Sequence, residues 1–191
     1  DVDKLDFIVR DTYHTGAAYG YVDIFRLIHM LDLLGENLAV EIPGALSVLE
    51  SFILARFESF KSIYFHRVGR AAQIMLATAM EEAKDELGLV SFRTPKDYLA
   101  LDDYTVWTML KNCRKSKKII ENLEKRKLIK WAYERTFYVR NKEISSIFSN
   151  EEIRAQIRNQ IASEAGVKPG SVFIDVPTLP SVPYRHSVLL E

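Results

Sequence analysis

Asp1-Val2-Asp3-Lys4-Leu5-Asp6-Phe7-Ile8-Val9-Arg10-Asp11-Thr12-Tyr13-His14-Thr15-Gly16 opens the chain, and its reading decides the fold expected of the rest. Wound as a helix, the stretch places Val2, Leu5 and Val9 on one side at i, i+3 and i+7, while Asp3, Phe7, Arg10 and Asp11 share another. The first stripe is expected to pack and the second to face a pocket. A plainer alternative stands beside this: an acidic first turn, with Asp1, Asp3 and Asp6 facing water and complementing the helix dipole.

The order of these residues, D-V-D-K-L-D-F-I-V-R-D-T-Y-H-T-G, resembles a segment of HD-domain phosphohydrolases of the deoxynucleoside triphosphate triphosphohydrolase type, D-x-D-[KR]-x-D-[YF]-x-x-R-D-x-x-x-x-G. The resemblance implies that Asp3 is the last ligand of a divalent metal such as Mg, Mn or Fe. The other ligands in that family are an upstream histidine and a His-Asp pair. No His-Asp dipeptide occurs here, and the histidines are His14, His29, His66 and His186. The expectation is therefore a downstream portion of a longer protein, in keeping with the absence of an initiator methionine. The resemblance also makes Lys4 a phosphate-binding lysine and Asp11 an acceptor for the sugar 3′-hydroxyl. Phe7 stands where the mammalian branch has a tyrosine stacked on the sugar; ordinary core is the alternative for Phe7. His14 matches a family histidine and reads equally well as a surface residue.

A second stretch carries the same resemblance. In Leu54-Ala55-Arg56-Phe57 and Ile63-Tyr64-Phe65-His66-Arg67, Arg56 precedes Tyr64 by eight residues. That is a little over two helical turns, so both side chains can face one cleft if the helix continues. In the family the arginine grips the triphosphate and the tyrosine lines the nucleoside pocket. By itself Arg56 reads as a surface cation beside Glu58. Arg126, in L-E-K-R-K-L-I-K, falls where the mammalian enzyme has an arginine at a nucleotide-regulated oligomer interface, which makes it a candidate regulatory residue and implies a homo-oligomer.

Composition sets the outer bounds. At 191 residues and 48% hydrophobic, the chain can bury one sizeable core and is too apolar for disorder. Lys+Arg and Asp+Glu both count 26, so no global field favours nucleic acid or an anionic membrane. The cluster Arg114-Lys115-Ser116-Lys117-Lys118, with Lys125-Arg126-Lys127, admits a nucleic-acid reading as a weak signal, and reads first as a solvated helix face. The single cysteine, Cys113, excludes an internal disulfide and suits a reducing, cytoplasmic setting. No run approaches the roughly twenty apolar residues of a membrane span.

In chain order, Asp23 is expected to cap a helix over Ile24-Leu34 that Gly35 stops, and Asn37-Ile42 to form a short strand ending at Pro43, in the first turn of the next helix. Leu46, Leu49, Ile53, Phe57 and Phe60 mark a core helix from Ala45 to about Lys61. A second long helix is expected from about Tyr64 to Leu87, with Val68, Ala71, Ala72, Met75, Ala79 and Ala83 apolar and Gly88 as its stop. Phe92-Leu101 reads as a connector. Asp102-Asp103 open a helix presenting Val106, Trp107 and Leu110, and Ser116-Leu128 a further one presenting Ile119, Ile120 and Leu123. Ile129-Tyr138 reads as a strand, Asn150 as the cap of an amphipathic helix, and Val172-Val176 as a short buried strand followed by Pro177, Pro180 and Pro183. The fold class expected is mainly α: an HD-domain-like helical body over 1-128 and a small C-terminal α+β region over 129-191.

By resemblance, the activity implied is hydrolysis of deoxynucleoside triphosphates to deoxynucleoside and triphosphate, through a metal-activated water attacking the α-phosphorus. The partners implied are a nucleotide substrate and an upstream HD segment of the same protein. Two alternatives stay open: an HD phosphohydrolase acting on another nucleotide, or a non-catalytic nucleotide-binding or interaction module if the chain is complete.

Overall fold

The computed structural model describes residues 2–135 and 150–176, and the chain divides into two compact units, Asp1–Gly69 and Arg70–Glu191. The protein is mainly helical, and its single described sheet is a two-stranded hairpin.

The first unit begins with α1 (Val2–Thr15), which Gly16 ends in the left-handed conformation, φ 73°. The buried positions on α1 are Ile8 and Thr12, one turn apart, while Val2 and Val9 are exposed. The expected stripe of Val2, Leu5 and Val9 is thus displaced around the helix. The reason is a close approach: a Cβ on Gly20 would stand 1.9 Å from Thr12 Oγ1 and 2.6 Å from the Ile8 carbonyl oxygen. A 3₁₀ turn, Ala18–Gly20, folds back onto that face because Gly20 has no side chain to keep it off.

Asp23 caps α2 (Ile24–His29), its carboxylate accepting from Arg26 N at 2.9 Å. The helix stops there, shorter than expected, and Leu31–Leu34 is strand β1, paired antiparallel with β2 (Asn37–Val40). With Leu34 opposite Asn37, the connection is the two residues Gly35-Glu36, and Gly35 has φ 62°. Glycine here turns a hairpin instead of stopping a helix. Pro43 follows a cis bond and lies in a turn; α3 (Leu46–Ser59) begins only after it. The buried residues of α3 are Val48, Ala55 and Ser59, whereas Leu46 and Phe57 are exposed. Small residues are buried because they let backbones approach; the larger ones expected in that role lie to the side.

The chain continues from α3 into a π-helical turn, Phe60–Tyr64, in which the Phe65 N–H donates to the Phe60 carbonyl at 2.8 Å, five residues back. Tyr64 therefore belongs to the end of this element, and α4 (Arg67–Leu87) starts afresh after Phe65-His66, not at Tyr64 as periodicity suggested.

In the second unit α4 buries Ala71, Met75, Ala79 and Ala83 at strict four-residue spacing and ends at Gly88, φ 65°. Ala79 and Ala83 form a core with Leu110, Cys113 and Ile120, against which Val106, Trp107, Ile119 and Leu123 pack. Those residues come from α6 (Asp103–Asn112), capped by Asp102, and α7 (Lys117–Glu124). Between them and α4, the segment read as a connector holds a one-turn helix, α5 (Pro95–Leu99), with a Thr94/Asp97 capping box. α7 is shorter than the expected Ser116-Leu128. Arg126, at φ 52°, ends it, with the Lys127 N–H reaching back to the Asn122 carbonyl at 2.7 Å. Residues 129–135 form no strand, contrary to expectation, and 136–138 lie outside the described residues.

Asn150 caps α8 (Glu151–Glu164) with bonds from Glu152 N and Ile153 N, and Gly166 (φ 66°) closes it. Val172–Val176 pairs with no strand among the described residues. It is held by a side chain: Asp175 receives both arms of the Arg70 guanidinium, at 2.8 and 2.5 Å. Pro177, Pro180 and Pro183 lie outside the described residues.

Candidate functional site

All the residues singled out around the two motifs lie in the first unit, on α1 and on the α3–π element. Phe7 and Asp11 are one turn apart on α1, so they share a face. Opposite them the π turn presents Tyr64. Its hydroxyl donates to Asp11 Oδ2, and the Phe7 ring meets its ring edge-on, with centroids 6.2 Å apart and planes at 74°. Phe60 lies beside Tyr64 at 5.1 Å and Phe65 beside Phe60 at 6.0 Å, so the phenol is wedged among aromatic rings.

This setting keeps Tyr64 protonated. Partial burial penalises the phenolate, the bond to Asp11 and the charge of Asp11 add to that, and Asp3 adds a little more, while Arg10 opposes it. The result is pushed up to about 12. That Asp3, Arg10 and Asp11 all act on one hydroxyl places the three charged residues within electrostatic reach of Tyr64.

Arg56 sits eight residues before Tyr64. In a straight α-helix eight residues overshoot two turns by about 80°. The wider π turn that ends at Tyr64 takes up part of that overshoot. Arg56 is half-buried, and its side chain makes no hydrogen bond or ion pair among the described residues. Asp3 is exposed and likewise unpaired among them, while Lys4 and Phe7 are half-buried. Arg10 is engaged with Asp6 at 3.0 Å on the exposed side of α1.

His14 stacks edge-on against Tyr13 in the open, centroids 5.3 Å apart. Among the described residues no three His, Cys, Asp or Glu side chains converge to hold a metal ion. Asp3 is one hard oxygen donor where a divalent cation takes about six or more, so these residues do not by themselves make a metal site.

Outside this cluster, Lys115 of the basic stretch lies 4.0 Å from Glu86, and nearby Lys111 pairs with Glu124 at 2.8 Å. Arg126 is exposed at the end of α7. Sequence reasoning passed over the Arg70–Asp175 pair, although a signal existed. Asp175 is the lone charge in the apolar run Val172-Phe173-Ile174-Asp175-Val176, and a carboxylate in such a run needs a buried cation. It also passed over a cleft of about 330 Å³ between α4 and α8, whose lining includes Glu151, Arg154 and Arg158.

The solved structure of a phosphohydrolase from Bacteroides thetaiotaomicron has the same fold, with a TM-score of 0.60 at 22% identity over 90% of this chain and 47% of that one. The chain belongs to the HD associated region family, whose sequence profile matches residues 22–190. Similarity to whole proteins runs further upstream. An uncharacterized protein of Bacillus subtilis, YwfO, is 24% identical across 96% of this chain and 44% of its own length. An uncharacterized protein of Methanocaldococcus jannaschii, MJ1154, is 26% identical across 100% of this chain and 41% of its own. The deoxynucleoside triphosphate triphosphohydrolase SAMHD1 homolog of Dictyostelium discoideum is 29% identical across 70% of this chain and 27% of its own. The chain thus spans less than half the length of these curated relatives. No helix among the described residues is long and apolar enough to cross a membrane.

Proposed function

We propose that this chain is the downstream part of a phosphohydrolase that converts deoxynucleoside triphosphates to deoxynucleoside and triphosphate. The observation that carries the reading is the meeting of Phe7 and Asp11 with Tyr64, contributed by two motifs that lie 53 residues apart at Asp11 and Tyr64. The similarity to the Dictyostelium triphosphohydrolase supports it.

In this reading each side chain answers one part of the ligand. A triphosphate needs several fixed cations to disperse its charge, and Lys4 and Arg56 supply two. A deoxyribose offers an apolar ring face and a hydroxyl; the Phe7 ring takes the first and the Asp11 carboxylate accepts from the second. Asp3 contributes one carboxylate toward a divalent cation whose other ligands come from an upstream HD segment of the protein. Arg126 serves regulation in a cytoplasmic homo-oligomer. A second reading, a nucleotide-binding or interaction module without catalysis, applies if no upstream segment supplies the remaining metal ligands.

Product analysis of the full-length protein with magnesium or manganese tests the proposal. Deoxynucleoside and intact triphosphate are expected; diphosphate with free phosphate would mean that a different bond is cut, and binding without turnover would favour the module. Arg56→Ala removes a charge-assisted contact worth about 1.5–3 kcal/mol, a roughly ten- to hundredfold loss of substrate affinity. Its melting temperature should barely move, since Arg56 has no partner among the described residues.

A further inference from the structure

Asp11 is not idle in the ligand-free protein. One carboxylate oxygen, Oδ2, already receives the Tyr64 hydroxyl, and Asp11 makes no other side-chain hydrogen bond among the described residues. A lone Asp on a helix samples several rotamers; one tied through Oδ2 to a fixed phenol has its plane set, with Oδ1 the oxygen left to accept. The phenol is itself fixed three ways: by the Phe7 edge on one side, by Phe60 on another, and by a π turn that sets its height along the helix. Tyr64 stays a donor at any physiological pH, because burial and the neighbouring carboxylate oppose its ionisation.

We propose that Tyr64 is a positioning residue: its hydroxyl orients the Asp11 carboxylate so that Oδ1 is presented to a ligand hydroxyl, and its effect on the ligand passes through Asp11. The inference rests on the proposed nucleotide function and narrows it, since it makes selection for a 3′-hydroxyl a property of a pair of residues. A tyrosine acting only as pocket wall, or only as packing, affects every nucleotide alike. One acting through Asp11 affects only ligands that carry the hydroxyl Asp11 receives.

The experiment compares, in the full-length protein, kcat/KM for a 2′-deoxynucleoside triphosphate with that for its 2′,3′-dideoxy counterpart. Tyr64→Phe keeps the ring and its contacts and removes the donor. The expected result is a five- to tenfold drop in the deoxy-to-dideoxy ratio, the deoxynucleotide losing more than its dideoxy counterpart. In an Asp11→Ala background, where the ratio is already lost, Tyr64→Phe should change it no further, and this cycle separates coupling from general damage. Equal losses on both nucleotides, or a full additional loss on top of Asp11→Ala, would overturn the positioning role while leaving the proposed function standing. A wild-type protein that hydrolyses neither nucleotide overturns the proposed function, and one that hydrolyses both equally overturns the hydroxyl-acceptor role of Asp11; either result removes this inference as well.

Discussion

Arg126 ends α7 with φ at 52°, and among the described residues it is the one non-glycine with positive φ. In this conformation the Cβ crowds the backbone, at a cost of about 1–2 kcal/mol for an L-residue. The slot is the one glycine ordinarily fills after a helix, and the Arg126 and Lys127 N–H groups cap the last carbonyls of α7 from it. Arg126→Gly relieves the strain and gives back about 0.4–1 kcal/mol through the greater freedom of the unfolded chain. A net gain of roughly 0.5–1 kcal/mol is expected, read as a higher denaturation midpoint with unchanged slope. A destabilised variant would mean that the guanidinium holds the helix end in some way the backbone does not require. The same residue carries the proposed regulatory role, so a side chain that costs stability where glycine would not is consistent with retention for function.

Among elements, α1 is held by its contact with the 3₁₀ turn. Gly20 is buried against Ile8 and Thr12, and Thr12 Oγ1 has no hydrogen-bond partner among the described residues. The glycine hydrogen fills the space a side chain would need. Gly20→Ala must push α1 away, an overpacking cost of about 1–3 kcal/mol. Its expected signature is a lower melting temperature together with loss of the Phe7–Tyr64 contact, since both depend on where α1 lies; NMR ring-current shifts of Tyr64 report the second. If stability falls and those shifts stay fixed, the turn and the aromatic cluster are separate. The π turn is the other element that serves the site, because it stretches the register between Arg56 and Tyr64 without breaking the helix that carries both. The second unit depends instead on small residues: Ala79 and Ala83 let α4 approach Leu110 and Ile120, and the four-residue spacing of Ala71, Met75, Ala79 and Ala83 is visible without any structure.

At the scale of the molecule, Asp3 is a single carboxylate, and the relatives are at least twice as long as this chain. On the proposed function, the 191-residue chain by itself is expected to bind no divalent metal tightly and to release no triphosphate, and the full-length protein is expected to do both. In the longer protein Asp3→Asn should lower metal content and turnover together, because a neutral amide is a poorer donor to a hard cation. Robust turnover by the short chain, or full metal content in Asp3→Asn, would end the split-site reading. What the sequence by itself determined about this protein is local. Asp23, Asp102 and Asn150 were legible as caps, and Gly16, Gly88 and Gly166 occupy the helix-closing positions with positive φ, because a cap or a left-handed turn is settled by atoms within a few residues. The mainly helical class followed from the same signals. The tertiary structure alone decided which face of α1 is buried, that Gly35 turns a hairpin, that Tyr64 belongs with α3, and that Val172–Val176 is clasped by Arg70 instead of paired in a sheet. Tyr64 reaches Asp11 across 53 residues and Arg70 reaches Asp175 across 105. No periodicity records such pairs: they are chosen by which surfaces the folded backbone brings together, and one glycine or one extra residue in a turn is enough to choose differently.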